Sequence, residues 1–256
     1  MNIKTALITG GATGIGKRTA VGLAEKGINL VINYRSSEKE ALELVGFLNT
    51  QYGTENQIVQ GDIAKQEDCV KIVDIAVTKF SSIDILIHNA GPYIHERKKM
   101  VDYTFDEWNY LINGNLNAVF YLTKLLIPKM REKKWGRIIT LGFDRVESTP
   151  GWVNRSAFAA AKTGLASLTK TIALEEAKNG ITANMVCPGD IVGEWKEKMI
   201  SDTRDIFDEQ SPIGRPGTGE DISRVIEFLI DENSSFLTGS VIPVTGSKDV
   251  LGKIYQ

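Results

Sequence analysis

Residues 9–16, Thr-Gly-Gly-Ala-Thr-Gly-Ile-Gly, have the composition of a phosphate-binding turn. Glycines let the backbone approach a ligand closely, and the start of the helix that follows offers unpaired N–H groups to an anion. The spacing is Thr-Gly-x-x-x-Gly-x-Gly rather than Gly-x-Gly-x-x-Gly, and a tight turn without a ligand is the simpler alternative. We predict a pyrophosphate-binding turn formed by Gly10, Gly11, Thr13, Gly14, Ile15 and Gly16.

The end of the second predicted strand indicates which dinucleotide binds. A site for NAD usually has a carboxylate there for the ribose 2′-hydroxyl, whereas a site for NADP has a neutral residue and a nearby arginine. Asn33 is neutral, and Arg35 can pair with a 2′-phosphate. Ser36 can donate a further hydrogen bond, and Lys17 can add positive charge. The sequence therefore predicts NADP(H) as the cofactor.

Two further strand ends carry residues suited to the adenosine half of the cofactor. Asp62 is predicted to close the third strand, where its carboxylate can accept a hydrogen bond from the adenine amino group. The backbone of Ile63 can form a hydrogen bond with the adenine ring. The fourth strand ends in His88 and the small residues Asn89, Ala90 and Gly91, which let the main chain lie against the ribose.

Short apolar segments alternate with longer helical ones along the chain. This alternation indicates βαβ units, and strands that are apolar almost throughout indicate a parallel sheet covered on both faces. Strands are predicted at residues 4–9, 29–34, 57–62, 83–88, 137–141, 182–186 and 240–244, and helices at 14–26, 37–52, 66–80, twice within 104–133, 154–179 and 220–230. The expected fold class is α/β, a Rossmann-type doubly wound parallel sheet of about seven strands with helices on both faces.

No linker or repeat divides the sequence, so residues 1–256 are expected to form a single dinucleotide-binding domain. The least regular segment is 189–219, which contains Pro212, Pro216 and several glycines and is long for a connection. Long loops in compact domains often cover a site, so this segment is predicted to be a substrate lid.

The composition excludes several classes of protein. Hydrophobic residues make up 42% of the chain and the net charge is −2, which argues against a nucleic-acid-binding surface. No apolar run reaches the roughly 18 residues that cross a membrane, and the first residues lack the layout of a secretion signal. Cys69 and Cys187 are expected to be reduced, buried thiols. We expect a cytoplasmic protein without a metal site that acts on a small molecule.

Together these motifs resemble the short-chain dehydrogenase/reductase family over essentially the whole chain, and 3-oxoacyl-(acyl-carrier-protein) reductases in particular. The segments that match besides those above are Asp84, Gly114-Asn115-Leu116, Gly136-Arg137-Ile138-Ile139, Ala161-Lys162 and Pro188-Gly189-Asp190-Ile191. The resemblance implies cofactor contacts from Lys162, Pro188, Gly189 and Ile191. It also implies a homodimer or homotetramer in which the helices within 104–133 and 154–179 pair between subunits.

The family's chemistry uses an asparagine, a serine, a tyrosine and a lysine. Asn115 and Lys162 match the asparagine and the lysine. Phe158 stands four residues before Lys162, where the tyrosine is expected, and Phe143 occupies the serine position. A phenyl ring has no exchangeable proton, and losing a positioned general acid typically costs about 10²–10⁴ in rate. The sequence therefore argues against ordinary carbonyl reduction.

Tyr93 and Asp144 are candidate substitutes for the missing donor. Tyr93 lies on a loop that borders the nicotinamide in this family, and Asp144 adjoins Phe143. Their simpler interpretations are a loop aromatic and a solvated charge. Enoyl reductases have a tyrosine seven residues before the lysine, but that position is Arg155. His95, Arg145 and Arg155 are interpreted as surface or loop residues.

Two hypotheses of different classes follow. The first is an NADP(H)-dependent oxidoreductase with an unusual proton donor, or with a substrate that needs none, such as an activated double bond or a quinone. The second is a catalytically silent NADP(H)-binding protein that acts as a sensor, scaffold or partner subunit, since Phe143 and Phe158 would make the carbonyl pocket apolar.

Overall fold

A seven-stranded parallel sheet with the strand order β3-β2-β1-β4-β5-β6-β7 forms the centre of the molecule in a computed structural model that describes residues 3–248 and 251. Its strands are β1 (Thr5–Ile8), β2 (Asn29–Tyr34), β3 (Asn56–Gln60), β4 (Ile85–His88), β5 (Gly136–Leu141), β6 (Ile181–Pro188) and β7 (Val241–Val244). The helices are α1 (Gly14–Glu25), α2 (Glu38–Tyr52), α3 (Gln66–Phe80), α4 (Phe105–Ile112), α5 (Ala118–Lys133), α6 (Ser156–Glu176) and α7 (Gly219–Ile230). The predicted fold class is confirmed.

Successive side chains of each strand point to opposite sides of the sheet. Helices cover both sides, so both faces are buried. Leu7 and Val31 belong to one apolar cluster, which includes residues of α3, α5 and α6. Ile8 and Ile32 belong to a second cluster on the other face, with residues of α1, α2 and α7. The strand order reverses between β1 and β4, and ligands of such sheets bind in the crevice at this point.

The element boundaries agree with the predicted ones within three residues, and two differences have physical causes. β3 ends at Gln60, so the prediction that Asp62 closes this strand is wrong. The Asp62 N–H donates to Asp68 and its carboxylate accepts from the Ala64 N–H, which turns the chain into α3. α6 begins at Ser156 rather than at residue 154, because Asn154 has a φ of +62°, which a right-handed helix cannot contain.

The two helices predicted within 104–133 are joined by a π turn, Asn113–Asn117, rather than by a loop. The Asn115 amide donates to the Leu111 carbonyl at 3.0 Å and to the Pro92 carbonyl at 2.8 Å. The π turn therefore ties α4 to the loop after β4 and holds Asn115 completely buried. Single π turns of this kind occur frequently at functional sites.

The structure also bears on the predictions for the cysteines, for membrane spans and for the helices expected to pair between subunits. Cys69 and Cys187 are free, buried thiols, as predicted, and burial raises the pKa of each to about 12. Within residues 3–248, no helix is long and apolar enough to cross a membrane. On α5 and α6, the helices expected to pair between subunits, Phe120, Leu125 and Leu174 remain exposed to solvent.

Asn33 holds the end of β2 against the glycine-rich turn. Its side-chain oxygen accepts a hydrogen bond from the Gly10 N–H at 3.3 Å. Its amide donates to the carbonyls of Val59 and Gly61 at 3.2 and 3.0 Å. The side chain is 2% exposed, so these partners replace solvent entirely.

We expect Asn33→Asp to lower the free energy of unfolding by roughly 1–3 kcal/mol, because a carboxylate cannot donate to the two buried carbonyls. Urea denaturation measures the loss. Asn29→Asp is the matched control at the other end of β2, since Asn29 uses its oxygen to accept from the Glu55 N–H. Equal effects of the two substitutions would contradict the role given to the Asn33 amide.

Candidate functional site

A cleft of about 570 Å³ opens at the carboxyl ends of the strands, next to the reversal of strand order. It brings together many of the predicted site residues from distant parts of the chain. Those that line it are Gly10, Thr13, Gly14, Ile15, Asn33, Arg35, Asp62, Ile63, Asn89, Ala90, Gly91, Tyr93, Asn115, Phe158, Lys162 and Pro188.

The glycine-rich turn packs too tightly for side chains at two positions. A Cβ on Gly16 would lie 2.4 Å from the Gly10 carbonyl oxygen and 2.6 Å from the Asn89 amide nitrogen. Gly10 has a φ of +59°, which favours glycine. The Asn89 amide donates to the carbonyls of Thr9 and Gly10 at 3.0 Å each. These contacts fix the turn so that α1 begins at Gly14 on the wall of the cleft.

The end of the cleft formed by Arg35 and Asp62, where the sequence predicts the adenosine half of a cofactor, is closed by a contact that the sequence did not indicate. The Arg35 guanidinium donates a short hydrogen bond to the Tyr110 hydroxyl, which comes from α4. Burial and the nearby Asp62 carboxylate raise the pKa of Tyr110, while the Arg35 charge opposes that rise. This end of the cleft thus contains a cluster of three polar side chains, Arg35, Asp62 and Tyr110.

Lys162 is a buried cation near the centre of the cleft. Its ammonium donates to the Leu141 carbonyl at 2.7 Å, and the residue is 4% exposed. Burial lowers its pKa from 10.5 to about 8. A Cβ on Gly91 would lie 2.3 Å from the Asn115 side-chain oxygen and 3.4 Å from the Lys162 Nζ, so both groups border the same small space. The Asn115 oxygen accepts no hydrogen bond from the part of the chain that the structure describes.

Aromatic side chains surround Lys162 on its other side. The Phe158 ring centroid is 5.7 Å from the Lys162 Nζ. Phe158 is 5.1 Å from the Tyr93 ring, 6.0 Å from Trp152 and 6.3 Å from Phe143, measured between ring centroids. Phe143 itself is 5% exposed and belongs to the apolar core rather than to the cleft lining. The ring of Phe158 is therefore the side chain that meets the cleft one helical turn before Lys162.

Tyr93 is held by Arg155, a loop residue that the sequence did not connect with it. The Arg155 Nε donates to the Tyr93 hydroxyl at 2.5 Å, and the guanidinium carbon lies 4.8 Å from the centroid of its ring. The two terminal nitrogens donate to the carbonyls of Glu96 and His95 at 2.8 and 3.0 Å. All the guanidinium nitrogens thus fix the loop after β4, while Arg155 itself lies in the loop before α6, in agreement with its interpretation as a surface or loop residue.

The remaining predicted site residues lie outside the cleft lining. Asp144 is 6% exposed and near the buried Cys187, so its interpretation as a solvated charge was wrong. Gly11 and Gly16 are packed against neighbouring residues of the sheet and the turn, where a Cβ would be too close to them. Ser36 follows β2, and none of the three lines the cleft. Gly189 and Ile191 border a neighbouring cavity of about 450 Å³.

Sequence reasoning missed Tyr110 and Lys196, which also line the cleft. It likewise missed Glu197, which contacts both Gly14 and Lys17. Tyr110 lies on α4 among other aromatic and polar residues, and Lys196 and Glu197 lie in a run of charged residues in the irregular segment. No local pattern distinguishes them, because only the folding of distant segments places them here.

Comparisons with known proteins show which family the chain is similar to. Residues 10–246 match the family model described as enoyl-(acyl carrier protein) reductase. The chain is 53% identical over 252 residues to "Putative oxidoreductase YtkK" of Bacillus subtilis, covering 98% of both chains.

Solved structures with the same fold are similar over nearly the whole chain. A structure described as "putative 3-oxoacyl-reductase" from Bacillus thuringiensis has 51% identity and a TM-score of 0.91, covering 98% of this chain and 100% of that one. A blue fluorescent protein from a metagenomic library, solved with NADPH, has 27% identity and a TM-score of 0.83, covering 96% of this chain and 97% of that one. Since a family model and a relative above 50% identity both extend over almost all of its length, the chain belongs to the short-chain dehydrogenase/reductase family of oxidoreductases.

Proposed function

We propose that the protein is an NADP(H)-dependent oxidoreductase with an atypical proton donor. The observation that carries the proposal is one cleft in which the glycine-rich turn, Arg35 and the Asn115–Lys162 pair meet. The NADPH bound to the similar blue fluorescent protein supports a nicotinamide cofactor for this chain as well.

The residues present fit such a cofactor. Gly14 and Ile15 would hold the pyrophosphate at the start of α1, where N–H groups and the helix dipole favour an anion. Gly91 leaves open the space beside the Asn115 oxygen and the Lys162 ammonium, which would hold the nicotinamide ribose. Arg35 would exchange its Tyr110 partner for the 2′-phosphate, which is a stronger, doubly charged acceptor.

Phe143 and Phe158 occupy the positions where the family has its serine and tyrosine, and this defines the substrate class. Neither ring can donate a proton, and the cleft wall beside Lys162 is aromatic. A carbonyl oxygen would gain no donor from these two side chains. An activated carbon–carbon double bond or a quinone, which is planar and spreads the incoming charge, fits the aromatic wall better.

Tyr93 is the proton donor in this proposal. When bound, the reduced cofactor supplies a hydride to the electrophilic carbon of the substrate. The Tyr93 hydroxyl gives its proton to the atom that gains the electron pair, and the phenolate left behind is held by the Arg155 guanidinium. Tyr93 is 38% exposed, so water can return the proton.

In this proposal residues 3–248 and 251 form one dinucleotide-binding domain, and segment 189–219 acts as its lid. The remaining residues of the predicted domain, 1–256, lie outside the part of the chain that the structure describes. Lys196 lines the cleft, which supports a lid role for this segment.

The second candidate function is a silent NADP(H)-binding sensor, scaffold or partner subunit. The packing of Phe143 and Phe158 with Trp152 favours it, because this aromatic cluster is apolar where the family has polar groups.

The cofactor proposal is tested by Arg35→Ala. We expect NADPH binding to weaken roughly 10- to 100-fold, because a charge-assisted hydrogen bond to the 2′-phosphate is lost, while NADH binding changes little. Fluorescence titration with both cofactors measures this. Lys39→Ala, which removes an 84% exposed charge from the start of α2, is the control. Tighter binding of NADH than of NADPH by the unaltered protein would rule out the preference.

The proton-donor proposal is tested by Tyr93→Phe with NADPH and a panel of enones, quinones and ketones. We expect kcat/KM to fall about 10²- to 10⁴-fold with NADPH affinity unchanged, because one positioned acid is removed. Tyr103→Phe is the matched control, since within the described part of the chain the Tyr103 hydroxyl has one hydrogen bond, to the Asn154 carbonyl at 3.4 Å. A Tyr93→Phe enzyme as fast as the unaltered one would exclude this donor.

The two candidate functions are separated by the restoring pair Phe158→Tyr and Phe143→Ser. If the unaltered protein turns over no member of the panel and the restored protein reduces ketones, the silent function is correct. If native activity exists and the pair abolishes it, the distinct chemistry proposed above is correct.

The Lys162 ammonium gives cofactor binding a pH dependence. Its pKa of about 8 in the free protein means that it is charged below that pH and neutral above it. NADPH affinity should therefore fall as the pH rises through about 8, since binding then requires uptake of a proton. Lys162→Met should bind more weakly and lose this dependence between pH 7 and 9.5. The same pH profile in both proteins would contradict the assignment.

A further inference from the structure

The carboxylate of Glu197 lies at the start of α1, beside the glycine-rich turn. One of its oxygens accepts a hydrogen bond from the Gly14 N–H at 2.8 Å. The other is 2.7 Å from the Lys17 ammonium on the same helix. Gly14 is the first residue of α1, so its N–H has no partner within the helix. A side chain of this protein thus occupies a position where an N–H group, a helix dipole and a cation all favour an anion.

The segment that carries Glu197 is fixed to another helix rather than loose. The Ile200 N–H donates to the Glu220 carboxylate on α7 at 2.6 Å, and Arg18 on α1 lies 3.7 Å from the same carboxylate. Trp195 packs against the apolar cluster beneath α1 and α7. Glu197 itself is 38% exposed, so its side chain can turn into solvent, and the segment then loses one of the contacts that hold it against α1.

We propose that Glu197 is a built-in competitor for the cofactor's pyrophosphate, a latch that must leave Gly14 and Lys17 before NADP(H) can bind fully. The inference rests on the proposed function, because it assigns the start of α1 to the pyrophosphate. Two anions cannot share one N–H group and one ammonium, so the carboxylate and the phosphate exclude each other. Release of Glu197 frees Lys17 for the incoming phosphates and loosens the segment around Lys196, which lines the cleft. Cofactor binding and the state of the lid are thereby coupled.

An ordinary surface ion pair predicts a different outcome. A pair between two partly exposed side chains contributes little, and breaking it would leave cofactor affinity unchanged or lower it. A latch predicts that removing the carboxylate raises affinity. From the usual strengths of an ion pair and of a contact with a helix start, we expect removal of the carboxylate to raise NADPH affinity roughly 3- to 30-fold.

The test compares Glu197→Gln with Glu194→Gln. Glu194 lies in the same segment, is 73% exposed and pairs only with Lys198 among the ion pairs of the described residues, so it controls for the change of charge. NADPH dissociation constants are measured by fluorescence titration at low and high salt. Hydrogen exchange of residues 193–203 is followed by mass spectrometry with and without NADPH, and with inorganic pyrophosphate as a minimal anion.

We expect Glu197→Gln to bind NADPH about 3- to 30-fold more tightly than both the unaltered protein and Glu194→Gln. We also expect faster exchange of residues 193–203 in Glu197→Gln, and in the unaltered protein once NADPH or pyrophosphate is added. Equal or weaker NADPH binding by Glu197→Gln overturns the latch while leaving the proposed function intact. If none of the proteins binds NADPH, the proposed function fails, and unchanged exchange in Glu197→Gln then overturns the latch as well.

Discussion

The close approach of backbone to backbone in the glycine-rich turn is the constraint on which the rest of the site depends. A Cβ on Gly16 would lie 2.4 Å from the Gly10 carbonyl oxygen, so any other residue would push α1 away from the sheet. The Asn33 oxygen then accepts a hydrogen bond from the Gly10 N–H, and the Asn89 amide donates to the carbonyls of Thr9 and Gly10, so both side chains fix the turn. The start of α1 consequently faces the crevice where the strand order reverses, and the groups that attract anions meet there.

Lys162 and Asn115 place two incompletely hydrogen-bonded polar groups at the centre of the cleft. The ammonium is buried with one main-chain carbonyl as its hydrogen-bond partner and an aromatic ring nearby, and burial lowers its pKa. The Asn115 oxygen beside it is buried without a partner among the described residues. Incompletely satisfied polar groups are costly in a protein interior, and two of them bordering one space are typical of a functional site.

The charged groups at the edge of the cleft already have partners within the chain. Arg35 donates to Tyr110, and Lys17 pairs with Glu197. An anionic cofactor bound by these groups, as proposed, would exchange partners with them rather than simply add contacts. Such an exchange lowers net affinity but raises discrimination, because only a ligand that replaces every lost contact binds well.

Local sequence was enough to determine the fold class and most of the residues that line the cleft. The apolar strand, the glycine-rich turn and the start of the helix follow one another within residues 4–26, so backbone conformation and burial there follow from the residues themselves. The sequence also shows directly that residue 158 is a phenylalanine and has no hydroxyl group. Tertiary structure alone decided the neighbours of these residues, which come from far along the chain. Arg155 reaches Tyr93 across 62 positions and Glu197 reaches Gly14 across 183, and no local pattern encodes a contact that depends on how the whole sheet brings its loops together.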